Sequence, residues 1–244
     1  MSNISVFENE NLLSEAAADF LVSLSAESIK KNGKFSIALS GGKTPSALFS
    51  LLATPKYNNA INWQQVFVFW GDERCVPVDD ENNNSHVAKQ LLLNKVDLPQ
   101  KNIFTVPVNM PPAKAAHHYE QTLKIFFKTS FPLLDMILLG MGTNGHTASL
   151  FPKTAILKDT TALVKEVFVK EAGSHRISFT APMINNAKNI LFLVTGKEKA
   201  SMLHTVLQGK YEPVKYPAQL IKAAHGNQLL WFVDKAAAVK LKIK

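Results

Sequence analysis

Short apolar runs alternate with helical patterns along the whole chain, and this alternation constrains the fold more than any other feature. Runs of buried-strand length and composition occupy 35–39, 66–70, 134–139, 190–195 and 229–233. Further strands are predicted at 162–170 and 176–180, and helices at 9–31, 85–93, 112–129 and 197–208. Strands that alternate with helices are typical of a parallel sheet covered by helices. The sequence therefore predicts an α/β fold.

Size and composition fit a soluble globular protein of one large domain or two closely packed ones. The chain has 244 residues, of which 46% are hydrophobic and 19% are charged. We find no repeat, long linker or domain boundary, so we expect a single domain over 1–244. The lone cysteine, Cys75, excludes an intrachain disulfide, and the start of the chain lacks a signal-peptide pattern. No apolar run approaches the ~20 residues of a membrane span, so we expect a cytoplasmic protein without membrane association.

The formal net charge of +8 raises the question of nucleic-acid binding. The lysines are spread along the chain, and their densest cluster, at 235–244, alternates with alanine and aliphatic residues without aromatic interleaving. We therefore expect no nucleic-acid partner. A diffuse positive field would instead favour encounter with a small anionic substrate.

The first candidate site is the turn Ser40-Gly41-Gly42-Lys43-Thr44, which follows a predicted strand. Thr44 is predicted to cap the next helix, with Pro45 in its first position. Backbone N–H groups and the helix dipole at such a turn favour a phosphate. The spacing is not that of a Walker loop. An ordinary strand-to-helix turn is the alternative reading of this segment.

The second candidate is the charged triplet Asp72-Glu73-Arg74, which follows the predicted strand 66–70 and opens a polar loop over 71–84. Carboxyl ends of parallel strands form the ligand-binding edge of an open α/β sheet. Arginine offers a fixed fork of donors to phosphate or carboxylate. A solvated charged loop is the alternative. The adjacent Cys75 is predicted to be a small buried residue, with no part in the chemistry.

The third candidate is Gly140-x-Gly142-x-x-Gly145-His146, at the end of the apolar run 134–139. Glycines permit a sharp turn and close approach of a ligand, and histidine can move protons near neutral pH. The spacing formally matches a dinucleotide fingerprint. We reject that interpretation because Pro152 prevents a long helix and Glu166 lies inside a predicted strand. A core histidine is the alternative for His146.

Two further cations, Arg176 and Lys199, complete the candidate set. Lys199 is predicted in the first turn of a helix, where a cation opposes the helix dipole unless an anionic ligand is bound. An exposed lysine without a ligand remains the alternative. The remaining histidines show no metal-ligand spacing, so we expect no metal site.

These segments together resemble the glucosamine-6-phosphate isomerase/6-phosphogluconolactonase family, and within it the 6-phosphogluconolactonases. The resemblance covers nearly the whole chain. Its motifs are Leu39-Ser40-Gly41-Gly42-Lys43-Thr44-Pro45, Trp70-Gly71-Asp72-Glu73-Arg74-Cys75-Val76-Pro77, Gly140-Met141-Gly142 with 145–152, Arg176-Ile177 with 182–187, and Thr195-Gly196 with Lys199-Ala200.

The resemblance implies a three-layer α/β/α fold with a mostly parallel, Rossmann-like sheet, as in glucosamine-6-phosphate deaminases. It implies hydrolysis of 6-phospho-D-glucono-1,5-lactone to 6-phospho-D-gluconate in the oxidative pentose phosphate pathway, by a carboxylic ester hydrolase without a cofactor. The expected partner is therefore a phosphorylated sugar lactone, and the expected assembly a monomer or a weak homo-oligomer.

The resemblance also implies roles for individual residues. His146 matches the family's general base, and Arg74 matches its active-site cation. The turn Ser40 to Thr44 and Lys199 match the sugar-phosphate site, and Arg176 matches an arginine near the substrate. We include Asp72, Glu73, Gly142, Asn144 and Gly145 among the predicted substrate-binding residues.

The chain departs from the family pattern at Asn144, where the family usually has aspartate. An amide cannot stabilise imidazolium by charge, so Asp72 or Glu73 could supply it instead. His86 stands where an aromatic residue is common, and its role stays open. A deaminase would carry Asp-Glu-Tyr at the triplet, a glutamate in place of Phe151 and the turn aspartate. A non-catalytic sugar-phosphate-binding module is the alternative of another class.

Overall fold

The fold is built on a parallel sheet, as the alternating pattern predicts. A computed structural model of the chain describes residues 3–224 and 226–242. Its strands are β1 Asn3–Phe7, β2 Phe35–Leu39, β3 Val66–Trp70, β4 Asp72–Arg74, β5 Met136–Leu139, β6 Val164–Val169, β7 Ser174–Phe179, β8 Asn189–Val194 and β9 Gln228–Asp234. Its α-helices are α1 Glu10–Asn32, α2 Lys43–Leu52, α3 Pro55–Asn58, α4 Asn84–Ala88, α5 Pro112–Phe127, α6 Ala181–Asn185, α7 Ala200–Gln208 and α8 Lys235–Ala238.

Six strands form the main sheet in the order β1-β9-β8-β5-β2-β3, and every neighbouring pair is parallel. The central strands β2, β5 and β8 are buried along their whole length, which explains their predominantly apolar sequences. Helices flank this sheet, so the predicted three-layer α/β/α architecture is confirmed. A second sheet of three antiparallel strands, β4-β7-β6, adjoins it.

The first helix shows how local sequence sets the elements. Asn9 caps α1 by accepting a hydrogen bond from the N–H of Leu12 at 3.0 Å, and Gly33 ends it in the left-handed conformation with φ of 71°. Leu13, Ala17 and Leu21 recur on one face and are buried in the core. No helix within the described residues is both long and apolar enough to cross a bilayer.

A buried polar cluster joins the amino ends of the three central strands. The Asp135 carboxylate accepts hydrogen bonds from the N–H and hydroxyl of Ser36, at 2.9 and 2.7 Å, and from the Lys188 ammonium at 2.7 Å. Ser36 lies in β2, and the other two residues directly precede β5 and β8. This cluster aligns the strands at the edge opposite their carboxyl ends.

Three features of the fold differ from the sequence prediction. β1, which pairs with β9 from Asn3 opposite Leu230 to Phe7 opposite Asp234, was not predicted. The predicted polar loop 71–84 begins instead with β4, whose charged residues pair with β7 about a hundred residues later. The predicted helix 197–208 divides into a 3₁₀ turn, Lys197–Lys199, and α7.

Candidate active site

A cavity of about 720 Å³ opens at the carboxyl ends of β2, β5, β8 and β9. This is the edge at which open parallel sheets bind ligands. The predicted site residues on its wall are Ser40, Gly41, Gly42, Lys43, Thr44, Asp72, Arg74, Gly142, His146, Arg176 and Lys199. Residues far apart in the chain therefore meet in one place. Glu73, Asn144 and Gly145 lie outside this wall.

The glycine turn after β5 holds the His146 imidazole in a fixed place. A Cβ atom added to Gly142 would lie 2.1 Å from both Cε1 and Nδ1 of the imidazole, so only glycine leaves room for the ring. Gly145, with φ of 79°, supplies the left-handed residue of the turn. Thr147 closes the turn by donating its hydroxyl to the carbonyl of Gly140 at 2.8 Å.

Asn144 determines which nitrogen of His146 carries the proton. Its Oδ1 accepts from the His146 backbone N–H at 3.1 Å and lies 2.5 Å from the imidazole Nδ1. Because the backbone N–H identifies Oδ1 as an acceptor, Nδ1 must be the donor of the second bond. Nε2 is then the unprotonated nitrogen, able to accept a proton.

Burial and positive charge keep the imidazole neutral. The ring is half-buried and stacks on Phe151, with centroids 4.1 Å apart. Burial is the largest cause that lowers the pKa of His146, to about 4, and the charges of Lys199, Arg176 and Arg74 lower it further. At neutral pH His146 is therefore a proton acceptor.

Arg74 and Arg176 face each other across the antiparallel pair β4-β7. Arg74 Nη1 donates to the carbonyl of Asn82 at 2.6 Å. Arg176 Nε is shielded from solvent and has no acceptor within the described part of the chain. Two like charges directly opposite in a sheet repel each other, so an anion that binds in the cavity would stabilise this pair.

The anion site predicted at 40–44 lies on the cavity wall. The residue that caps the following helix, α2, differs from the prediction. Gly42, with φ of 113°, is the N-cap of α2, and Thr44 lies inside the helix. The Thr44 hydroxyl is 2.8 Å from that of Thr195, which follows β8. The prediction of Thr44 as N-cap was wrong because the helix starts at Lys43, and the hydroxyl joins two strand ends instead.

Lys199 ends the 3₁₀ turn and is the N-cap of α7, just before the helix rather than in its first turn as predicted, and it is half-buried on the cavity wall. Burial lowers the pKa of its ammonium, while the neighbouring Glu198 carboxylate raises it. Lys199 and the start of α2 thus present an ammonium and helix N–H groups to the same cavity, an arrangement suited to a phosphate.

Neither carboxylate of the charged triplet supplies a charged partner to His146. Asp72 Oδ2 accepts from the Ser149 hydroxyl at 2.6 Å. Glu73 is fully buried and accepts from the backbone N–H groups of Arg74, Asn84 and Ser85 at 2.7–2.8 Å. The structure therefore places Glu73 behind the site, where it anchors the segment that carries Asn84.

Several wall residues were absent from the sequence prediction. Asn84 packs against Gly41 and donates to the Asp72 carbonyl at 2.9 Å. Asp234 caps α8 and accepts from Gly196 N–H at 3.1 Å. An aspartate between a strand and Lys-Ala-Ala-Ala is a capping signal that could have located Asp234. The other unpredicted polar residues on the wall are Glu10, Ser149, Thr195 and Glu198.

Cys75 and His86 do not reach this cavity wall. Burial raises the pKa of the half-buried Cys75 thiol, in keeping with the inert role predicted for it. His86 Nε2 lies 2.8 Å from Gln90 Nε2, one turn along the same helical segment. Within the described residues, no group of His, Cys, Asp and Glu is arranged to hold a metal ion.

Comparison with known proteins agrees with this architecture. The model of the family described as glucosamine-6-phosphate isomerases/6-phosphogluconolactonase matches residues 8–231. A 6-phosphogluconolactonase from Nostoc sp. is 37% identical, with 98% of each chain covered. The solved 6-phosphogluconolactonase from Trypanosoma cruzi is 28% identical, with a TM-score of 0.89 over 100% of this chain and 98% of that one.

A solved monomeric glucosamine-6-phosphate deaminase shares the fold at lower identity. It is 20% identical, with a TM-score of 0.82 over 98% of this chain and 100% of that one. The fold is thus common to both activities of the family. The match of the family model and the full-length relative at 37% identity show that the chain belongs to the glucosamine-6-phosphate isomerase/6-phosphogluconolactonase family.

Proposed function

We propose that the chain hydrolyses 6-phospho-D-glucono-1,5-lactone to 6-phospho-D-gluconate, the lactonase step of the oxidative pentose phosphate pathway. The observation that carries this proposal is the neutral His146, with Nδ1 bound to Asn144, on a cavity wall that also holds Arg74, Arg176 and Lys199. The full-length relatives named 6-phosphogluconolactonase support it.

The phosphate of the substrate would bind at Ser40–Thr44 and Lys199, with Arg176 on the same wall. The N–H groups of the first turn of α2 have no partner inside the helix and suit phosphate oxygens. Binding at this remote end holds the lactone carbonyl in position for reaction.

His146 Nε2 would take a proton from a water molecule, whose oxygen attacks the lactone carbonyl. The resulting C–O bond gives a tetrahedral oxyanion. The ester C–O bond then breaks, and imidazolium returns the proton to the departing ring oxygen. No other group is consumed, since one water is added across the ester. General-base help of this kind is worth about 10²–10⁴-fold.

Arg74 is the best-placed donor for the oxyanion. The N–H groups of Gly142 and Gly145 donate to the carbonyls of His146 and Gly142, at 2.9 and 3.0 Å, inside the turn. These glycine N–H groups are therefore occupied, whereas the Arg74 guanidinium lies on the cavity wall with further N–H donors.

A deaminase reaction is disfavoured by what surrounds the imidazole. Phe151 stacks on the ring where a deaminase would place a glutamate, and Asn144 binds Nδ1 where it would place an aspartate. Arg74 stands at the position of the deaminase tyrosine. The chain therefore lacks that glutamate, that aspartate and that tyrosine.

The decisive experiment measures hydrolysis of freshly prepared 6-phosphogluconolactone against its spontaneous opening. We expect rapid enzymatic hydrolysis, and no release of ammonia from glucosamine 6-phosphate. His146→Ala should lower kcat by about 10²–10⁴-fold, while the exposed His117→Ala serves as the matched control. A protein that binds 6-phosphogluconate without accelerating hydrolysis would be a sugar-phosphate-binding module, as in the alternative above.

A further inference from the structure

His146 has no negatively charged hydrogen-bond partner within the described residues. Its Nδ1 bonds to the neutral amide of Asn144. Lys199, Arg176 and Arg74 act on the ring with positive charge, and the weaker opposing influence comes from Glu171. The other charged side chains on the cavity wall are Glu10, Lys43, Asp72, Glu198 and Asp234.

None of the described carboxylates bonds to the imidazole, although Asp72 and Glu73 act by charge on Arg176 and Glu198 acts by charge on Lys199. Asp72 accepts from the Ser149 hydroxyl, Glu73 from three backbone N–H groups, and Asp234 from Gly196 and Ala237 N–H. Glu198 lies against Gly196, whose added Cβ would be 2.5 Å from both carboxylate oxygens. Among the described residues, the imidazole therefore bonds to a neutral amide and feels the charge of three cations, and it has no hydrogen bond to a carboxylate.

We propose that the substrate's own phosphate supplies this missing negative charge, so that it activates His146 as a base as well as anchoring the sugar. The inference rests on the proposed function and extends it. It makes the phosphate a determinant of the chemical step, and it predicts that a lactone without phosphate is a poor substrate even when it is bound.

A bound phosphate would change the charge around His146. A phosphate monoester carries a charge of about −1.5 to −2 at neutral pH. Bound between Lys199 and the start of α2, it would offset the cations that disfavour imidazolium. The pKa of His146, which burial and the three cations lower to about 4, would then move towards its ordinary value of 6.5. A stronger base accelerates proton abstraction, provided that it stays unprotonated at the working pH.

Titration of His146 by NMR tests the electrostatic step without any turnover. Sorbitol 6-phosphate carries the phosphate but has neither lactone nor carboxylate. We expect saturating sorbitol 6-phosphate to raise the pKa of His146 by about one unit or more, and sorbitol to leave it unchanged. An unchanged pKa of His146 in protein saturated with sorbitol 6-phosphate would overturn the proposal. Failure of sorbitol 6-phosphate to bind in calorimetry would overturn it as well.

The kinetic step is tested by supplying the lactone and the phosphate group as two separate molecules. Neutral glucono-1,5-lactone is the substrate, and phosphite dianion is added separately. We expect phosphite to raise kcat/KM for the neutral lactone by about tenfold or more, with saturation. Lys199→Ala should abolish this activation. Lys197→Ala, which removes an exposed lysine from the same 3₁₀ turn, is the matched control and should retain it.

The kinetic experiment contradicts the proposal if phosphite inhibits hydrolysis of the phosphorylated lactone competitively yet leaves turnover of the neutral lactone unchanged. Absence of any phosphite effect contradicts it as well when sorbitol 6-phosphate also leaves His146 unshifted. Failure of the proposed function is a separate outcome, because it appears as absence of hydrolysis of 6-phosphogluconolactone itself, whereas the NMR shift requires no reaction.

Discussion

The imidazole Nδ1 of His146 lies 2.5 Å from Oδ1 of Asn144, so an uncharged amide orients the candidate base. An aspartate at this position would hold the same tautomer and also stabilise imidazolium. The chain therefore separates two effects that an aspartate combines: orientation comes from Asn144, and the charge environment comes from the rest of the cavity. This separation can be tested directly.

Asn144→Asp should raise the pKa of His146 because a carboxylate within hydrogen-bond distance favours imidazolium. The rise should be about 1–3 units. Loss of kcat/KM on acidification should then begin at a higher pH than in the wild type, since the base is protonated earlier. The measurement is the acid limb of the pH–kcat/KM profile.

Asn144→Leu is the companion variant, because it removes the acceptor without adding charge. It should lower kcat through loss of ring orientation. Superimposable acid limbs for the wild type and Asn144→Asp would mean that His146 does not govern the acid limb.

Gly142→Ala should displace the imidazole, because the added Cβ would lie 2.1 Å from Cε1 and Nδ1 of His146. A displacement of about 1 Å can reduce turnover about a hundredfold, and we expect kcat to fall by that order. Gly140→Ala is the matched comparison, since its added Cβ meets no atom within 4 Å. Steady-state kinetics of both variants, with thermal unfolding to check folding, decides the matter. Equal kcat values would argue against a close-fitting role for Gly142.

Lys199→Ala should raise KM for the phosphorylated lactone, because the ammonium lies on the cavity wall at the start of α7. Loss of one charge-assisted hydrogen bond is worth about 1.5–3 kcal/mol, which corresponds to roughly ten- to a hundredfold in KM. Lys197→Ala changes the same charge on an exposed side chain and should have little effect. An unaltered KM in Lys199→Ala would reject the phosphate site proposed here.

Glu73 should make the stability of the protein depend on pH. Burial is the largest cause that raises the pKa of Glu73, to about 7, although three backbone N–H groups oppose this rise. The folded state then holds the proton more tightly than the unfolded state, whose pKa is near 4.5. The free energy of unfolding should therefore fall as pH rises from about 4.5 to about 7, by up to about 3 kcal/mol.

Glu73→Gln provides the reference for that measurement, because an amide does not titrate in this range. Urea unfolding of both proteins between pH 4 and pH 8 should give curves of free energy against pH with different slopes. Parallel curves would show that Glu73 keeps an ordinary pKa in the folded state.

The sequence predicted elements best where the local pattern is complete in itself. The strands β2, β3, β5, β8 and β9 are apolar over most of their length, and α1 carries its own cap, periodic face and terminal glycine. Burial on both faces forces such composition on a strand, whatever its partner. By contrast, β1 is a short edge strand of mixed composition, recognisable only beside β9.

The strand β4 shows the limit of local reasoning. The local sequence predicts a polar loop at Asp72-Glu73-Arg74. These residues instead form a strand that pairs with β7, and this pairing places Arg74 opposite Arg176. The buried carboxylate of Glu73 accepts hydrogen bonds from the backbone N–H groups of Asn84 and Ser85, which lie in a later segment. Such pairing is set by contacts over long sequence separations, which no spacing of residues reveals.

Local patterns in the sequence were enough to predict the parallel sheet, the glycine turn before His146 and the cations that could serve an anionic substrate. Which of these groups meet became clear from the folded chain, in which Nδ1 of His146 bonds to Asn144, Asp72 and Glu73 bond to other groups, and Phe151 stacks on the imidazole. The physical reason is that strand and helix patterns arise from local burial, whereas the protonation of a site depends on charges and packing contributed by distant segments.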